Sequence, residues 1–112
     1  MSRVHIHKAC MKELRKLPVQ IRVDFLDLSD TLEQGYKLPF PTSRPMPDIG
    51  KGAHELRIKE KSGQYRIIYF FKTSVGTIHF IHAFKKTSQA TPKKNLDLAR
   101  KRMKEVLNDK ND

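Results

Sequence analysis

Apolar positions change their spacing along the chain, and each change marks a different kind of element. Residues 3–7, Arg-Val-His-Ile-His, alternate polar and apolar, the period of a short strand. Between residues 8 and 17 the apolar positions Met11, Leu14 and Leu17 recur at helical spacing, and Pro18 ends that segment. Pro18 also suits the start of a second helix, where its fixed φ is helical and its missing N–H is not needed. There Ile21, Phe25, Leu28 and Leu32 follow at spacings of four, three and four, and Gly35 stands at the expected C-cap. The two segments predict a helical hairpin.

Residues 36–52 hold Pro39, Pro41, Pro45, Pro47, Gly50 and Gly52, a density of breakers that predicts an irregular surface connection. Ordered loops of that length often carry function. From Ala53 the period becomes two. Residues 53–60, 64–72 and 76–84 predict three consecutive antiparallel strands, with Gly63 and Gly76 at the turns. Thr91-Pro92 supplies an N-cap and a first-turn proline for a last helix reaching about residue 107. Leu96, Ala99, Met103 and Val106 form its buried side, Arg100, Lys101 and Lys104 lie elsewhere, and Asn108 to Asp112 should fray. The predicted class is α+β: two N-terminal antiparallel helices packed on an antiparallel sheet, plus a C-terminal helix, in a single domain over residues 1–112.

Strand alternation sorts the sheet faces. Leu56, Ile58, Ile67, Tyr69, Phe71, Ile81 and Ala83 should face the helices. Glu55, Arg57, Lys59, Gln64, Arg66, Ile68, Phe80, His82 and Phe84 fall on the other face. A tight turn at Ser62-Gly63 brings Arg57 opposite or nearly opposite Arg66. Like charges facing across strands are unfavourable unless an anion sits between them.

Charge sharpens that picture. The formal net charge is +11. Residues 1–52 carry 9 basic and 6 acidic side chains, whereas residues 53–112 carry 14 and 6, so a polyanion should meet the C-terminal half. Cys10 is the single cysteine, which excludes an intrachain disulfide and a cysteine-based zinc site; among Ala9, Met11 and Leu14 it reads as a buried thiol. No apolar run approaches the ~20 residues that span a bilayer, so a soluble, cytoplasmic protein without membrane association is expected. Of the histidines at 5, 7, 79 and 82, His79 and His82 alternate onto opposite faces and no carboxylates cluster with them; no metal or cofactor is expected.

Ser43-Arg44-Pro45-Met46-Pro47-Asp48-Ile49-Gly50, followed by His54-Glu55-Leu56-Arg57-Ile58, resembles the phage Gp49-like branch of the RelE/ParE toxin superfamily, which includes HigB-like and Tad-like toxins. Tyr65-Arg66-Ile67-Ile68-Tyr69, Phe84-Lys85-Lys86-Thr87 and the Thr91-Pro92 helix start stand in the family's order and spacing. The resemblance covers roughly residues 10–107. It implies a type II toxin held in check by a helix-turn-helix antitoxin, and endonuclease action on mRNA, commonly at the ribosome.

RNA cleavage without metal uses the 2′-hydroxyl as nucleophile. A base removes its proton, fixed cations stabilise the phosphorane, and an acid protonates the leaving 5′ oxygen. Arg57 and Arg66 match the family's strand arginines and suit phosphate oxygens; the alternative is surface pairing with Glu55 or Glu60. Lys85 and Lys86 match its paired lysines, one as base and the other on phosphate, the order left open. His54 and His82 are candidate acids, although His54 alternates toward the helices and Phe80 and Phe84 flank His82. Arg44, Lys59, Thr87 and Lys93 complete the set as RNA contacts. Some RelE-type toxins place a tyrosine near the C-terminus in the active site; no tyrosine follows Tyr69 here. Rival readings are a ParE-like inhibitor of DNA gyrase and a nucleic-acid-binding module without catalysis.

Overall fold

The computed structural model describes residues 3–72, 76–87 and 90–109. In chain order the elements are β1 (Arg3–Ile6), α1 (Lys8–Arg15), α2 (Val19–Glu33), β2 (Ser43–Pro45), β3 (Ala53–Glu60), β4 (Gly63–Lys72), β5 (Thr77–Lys86) and α3 (Lys93–Asn108). The fraying expected at the C-terminus concerns mostly residues 110–112, which lie outside the described residues.

The helices follow their apolar stripes. On α1, Cys10 and Leu14 are buried; on α2, Ile21, Phe25 and Leu32 are buried and Leu28 partly so. Gly35 closes α2 at φ 98°: its N–H donates to Leu32 O at 3.0 Å and the Tyr36 N–H to Thr31 O at 3.3 Å. That pair of bonds is a Schellman closure, and the left-handed backbone it needs favours glycine. Both proline starts shift by one residue, so Pro18 and Pro92 stand at N-cap positions with extended ψ. Thr91 therefore does not cap α3; its hydroxyl donates to Glu55 Oε2 at 3.4 Å.

The sheet order is β1-β5-β4-β3-β2. The sheet is mixed, not antiparallel throughout, because β1 pairs with β5 in parallel. The proline-rich connection also contains β2, which pairs antiparallel with β3; Pro45 is accommodated because the strand lies at the edge. Further along, Met46 and Ile49 bury against α3, and a Cβ on Gly50 would stand 2.6 Å from Met103 Sδ, so a larger residue there would have to displace the end of that side chain.

Helices cover both faces of the sheet. One core joins α1 and α2 to Leu56, Ile58, Tyr65, Ile67, Tyr69 and Ala83. The other joins α3 to Ala53, Ile68, Phe70 and Phe84, so the face expected to stay open is largely roofed. A bulge also corrects the alternation in β5: Ile68 pairs with His82 but Tyr69 with Phe80, leaving Ile81 as an extra residue. Phe80 consequently enters the α1–α2 core and Ile81 the α3 core, the reverse of the expected faces. His79 stacks on Phe70 of the α3 core, so it shares a face with His82.

Cys10 is fully buried, and burial first, then the charge of Glu13, pushes its thiol up to about 12. It is a packing residue. No helix among the described residues is long and apolar enough to cross a membrane.

Candidate active site

Charged residues of β3 and β4 gather toward the turn that joins the two strands. The turn pairs Glu60 with Gly63, whose φ is 145°. That register sets Arg57 directly opposite Arg66. Glu55, two residues back along β3, lies on the same face. Its Oε1 is 3.5 Å from Arg66 Nε and 3.9 Å from Arg57 Nε, so one carboxylate holds two guanidinium groups together.

The three are not equally accessible. Glu55 and Arg66 are 1% and 2% exposed, whereas the Arg57 side chain is 26% exposed. The Arg66 fork is aimed by its own strand: Nη1 donates to Tyr65 O at 3.1 Å and Nη2 to Gln64 Oε1 at 2.9 Å. Burial lowers the Arg66 pKa from its usual value, Glu55 opposes that shift, and Arg57 and Arg44 add to it. Arg57 therefore presents charge to solvent while Arg66 supports it from beneath.

Two further cations join. Arg44 of β2 pairs across from Glu55 and is exposed. Lys86 pairs with Gln64 at the end of β5, on the Arg66 face. Its pKa is lowered by burial first, then by Arg66 against the opposing pull of Glu55, then by Arg57 and Arg44. Lys85 points the other way: it pairs with the core residue Tyr65, and a Cβ on Gly63 would meet its Cε at 2.9 Å. Geometry thus separates the two lysines, and only Lys86 joins the arginines.

Beside the cluster runs an open groove of about 300 Å³ lined by Pro41, Thr42, Arg57, Ile58, Lys59, Gln64 and Arg66. The Arg57 N–H donates to Thr42 O at 2.8 Å, which ties the proline-rich loop to β3. Phe40 of that loop, 68% exposed, lies under the guanidinium, with its ring centroid 5.6 Å from Arg57 Cζ. Lys59 is exposed on the groove wall and Thr87 is exposed just past β5. Lys93 pairs with Asp97 along α3 at 3.5 Å and does not line the groove.

Neither histidine joins the cluster. His54 stacks on Tyr69 and lines a separate, mostly apolar groove of about 400 Å³ with Tyr36 and Phe71. His82 is 2% exposed; its Nδ1 lies 3.0 Å from Glu13 Oε1 and its Nε2 2.7 Å from Asn95 Oδ1. Arg102 donates to Glu13 Oε1 at 2.8 Å and to Ile81 O at 3.0 Å, and the Ala83 N–H donates to Glu13 at 3.1 Å. These bonds fasten α1 and α3 to the stretch of β5 that extends past β1. Sequence reasoning treated Glu55 only as a rival partner for Arg57 and Arg66, and passed over Phe40. Glu55 alternates onto the arginine face, which was a readable signal; the fold of the loop that aims Phe40 left none.

Helices on both faces of a mixed five-stranded sheet, two N-terminal and one C-terminal, define the α+β class shared with the RelE toxins. A free-state E. coli RelE with two arginines replaced by alanine superposes with a TM-score of 0.59 at 18% identity, covering 94% of this chain and 97% of that one. The RelE of the Pyrococcus horikoshii OT3 RelE–RelB complex gives 0.56 at 29% identity, covering 80% and 98%. The intact E. coli RelBE toxin–antitoxin complex gives 0.51 at 25%, covering 79% and 100%. No curated protein sequence matches the chain. The chain belongs to the phage-derived Gp49-like protein family, whose model matches residues 12–104.

Proposed function

We propose that the protein is the toxin of a type II toxin–antitoxin system and a metal-independent endoribonuclease that cuts mRNA at the ribosome, in the cytoplasm. The observation that carries this reading is the convergence of Arg44, Arg57, Arg66 and Lys86 beside an open groove. Cations crowded this closely invite a polyanion, and three of them are guanidinium forks on strands.

A scissile phosphate in the groove meets Arg57 directly, with Arg66 and Glu55 fixing the position of that guanidinium. Lys86, with its pKa lowered, is the group suited to take the 2′ proton. The 2′ oxygen then forms its bond to phosphorus and the bond to the 5′ oxygen breaks. Arg57 offsets charge on the phosphorane and on the leaving oxygen, which takes its proton from solvent. Glu55 is a positioning residue, too buried to touch RNA. Arg44, Lys59 and Thr87 extend the contact along the chain.

The similarity to RelE proteins solved with their antitoxin RelB supports an antitoxin partner here, and the Gp49-like resemblance points to the helix-turn-helix kind. Purified protein in a translation extract tests the function. Shortened mRNA is expected. Intact mRNA together with blocked DNA supercoiling would replace this reading with gyrase inhibition.

A further inference from the structure

We propose that Phe40 is a stacking platform for an unpaired nucleobase next to the scissile phosphate, so that this side chain favours single-stranded RNA over duplex in the groove. This rests on the nuclease reading and adds a base-recognising element to a site otherwise built only for phosphate.

A phenylalanine left 68% exposed gains little from folding, and this one sits beside the groove that Arg57, Lys59 and Arg66 line. Its place is fixed from both sides. The Ser43 N–H donates to Pro39 O at 3.1 Å, and the Arg57 N–H donates to Thr42 O at 2.8 Å. The guanidinium of Arg57 covers one face of the ring, and with two-thirds of the residue exposed the other remains open. Arginine on an aromatic face, with a base on the opposite face, is a favourable stack, since both contacts use the same π system. Arg57 then links the two subsites: its charge holds phosphate and its plane backs the ring that holds the base. Every base has a π face, so the platform tolerates sequence and favours the larger purines. A duplex, whose bases already stack, is excluded.

The chain has no tryptophan, so Phe40→Trp places a lone tryptophan, excited apart from the tyrosines, at the platform. A single-stranded RNA hexamer with 2′-fluoro riboses, which lacks the nucleophile, is titrated free and on programmed ribosomes, alongside an abasic ribose-phosphate chain of equal length. The hexamer should quench the tryptophan and the abasic chain should not. Phe40→Ala should bind the hexamer roughly tenfold more weakly and the abasic chain unchanged, with Phe40→Trp restoring affinity. Equal weakening of both ligands would show that Phe40 only orients Arg57 and would overturn the platform. Unchanged hexamer binding by Phe40→Ala, with binding lost in Arg57→Ala, overturns it too and leaves the nuclease reading intact. Absence of binding by the unmodified chain, free and on ribosomes, defeats both.

Discussion

Arg57 and Arg66 occupy one register pair yet meet different environments, and their substitutions should separate accordingly. Arg57→Ala removes a partly solvated charge, so stability should move by no more than about 1 kcal/mol, while RNA cleavage falls by roughly 100-fold. Arg66→Ala strands the buried Glu55 carboxylate and should lower stability by about 3 kcal/mol. Denaturant melts beside an RNA cleavage assay check both; a stable Arg66→Ala would show that Glu55 does not depend on it. Among the lysines, Lys86→Arg keeps a cation in place but removes the amine whose pKa burial and the neighbouring arginines lower. RNA binding should persist and cleavage drop by about 100-fold, while Lys85→Arg cleaves normally. Full cleavage by Lys86→Arg would exclude it as the base. Alternation in β3 and β4 made the facing arginines readable from sequence. Continued from His82 and Phe84, the same alternation puts Lys86 with the arginines and Lys85 on the other face, but the predicted strand stopped at residue 84 and left the two lysines unsorted.

At the scale of elements, β1 ends at Ile6 and leaves later β5 groups without a strand partner, and the side chains of Glu13 and Arg102 take them up. Burial alone would raise the Glu13 pKa, but hydrogen bonds from His82, Arg102 and the Ala83 amide outweigh it and hold the carboxyl at about 2, against an ordinary 4.5. The folded state therefore binds this proton less readily than the unfolded chain. Glu13 contributes its full stability above about pH 4.5 and loses it as pH falls toward 2. Glu13→Gln should cost about 2 kcal/mol at neutral pH and flatten the decline of stability between those limits, as pH-dependent melts would show. An undiminished decline would place the acid sensitivity elsewhere. This clasp explains why the sequence left the role of His82 open between packing and catalysis: its companions come from α1 and α3, 69 and 13 residues away. The stripes of α2 and α3 were legible because helical period is local. The β5 bulge was not, since one extra residue leaves the apolar pattern unchanged and only the partner strand reveals it.

Across the whole molecule, the charge asymmetry between residues 1–52 and 53–112 becomes spatial: the strands of the basic half carry the groove, and β2 adds Arg44. About four cations at that end (Arg44, Arg57, Lys59, Lys86) should give single-stranded RNA binding a log–log salt slope near −3, reduced by about 0.7 in Arg57→Ala. A slope near zero would deny the phosphate contacts. Covering the same end is the economical way to silence the toxin, so the antitoxin should present acidic residues there, and co-expression with the adjacent reading frame should yield a complex unable to bind RNA. The central claim is cleavage by the 2′-hydroxyl under fixed cations, and end-group analysis of the cut RNA tests it most directly. Programmed ribosomes treated with the protein in EDTA, at magnesium just sufficient to keep the subunits joined, should yield a 5′-hydroxyl on one fragment and a 2′,3′-cyclic or 3′-phosphate on the other, with cleavage by Arg57→Ala reduced about 100-fold. Fragments ending in 5′-phosphate and 3′-hydroxyl, or equal cleavage by Arg57→Ala, would contradict it.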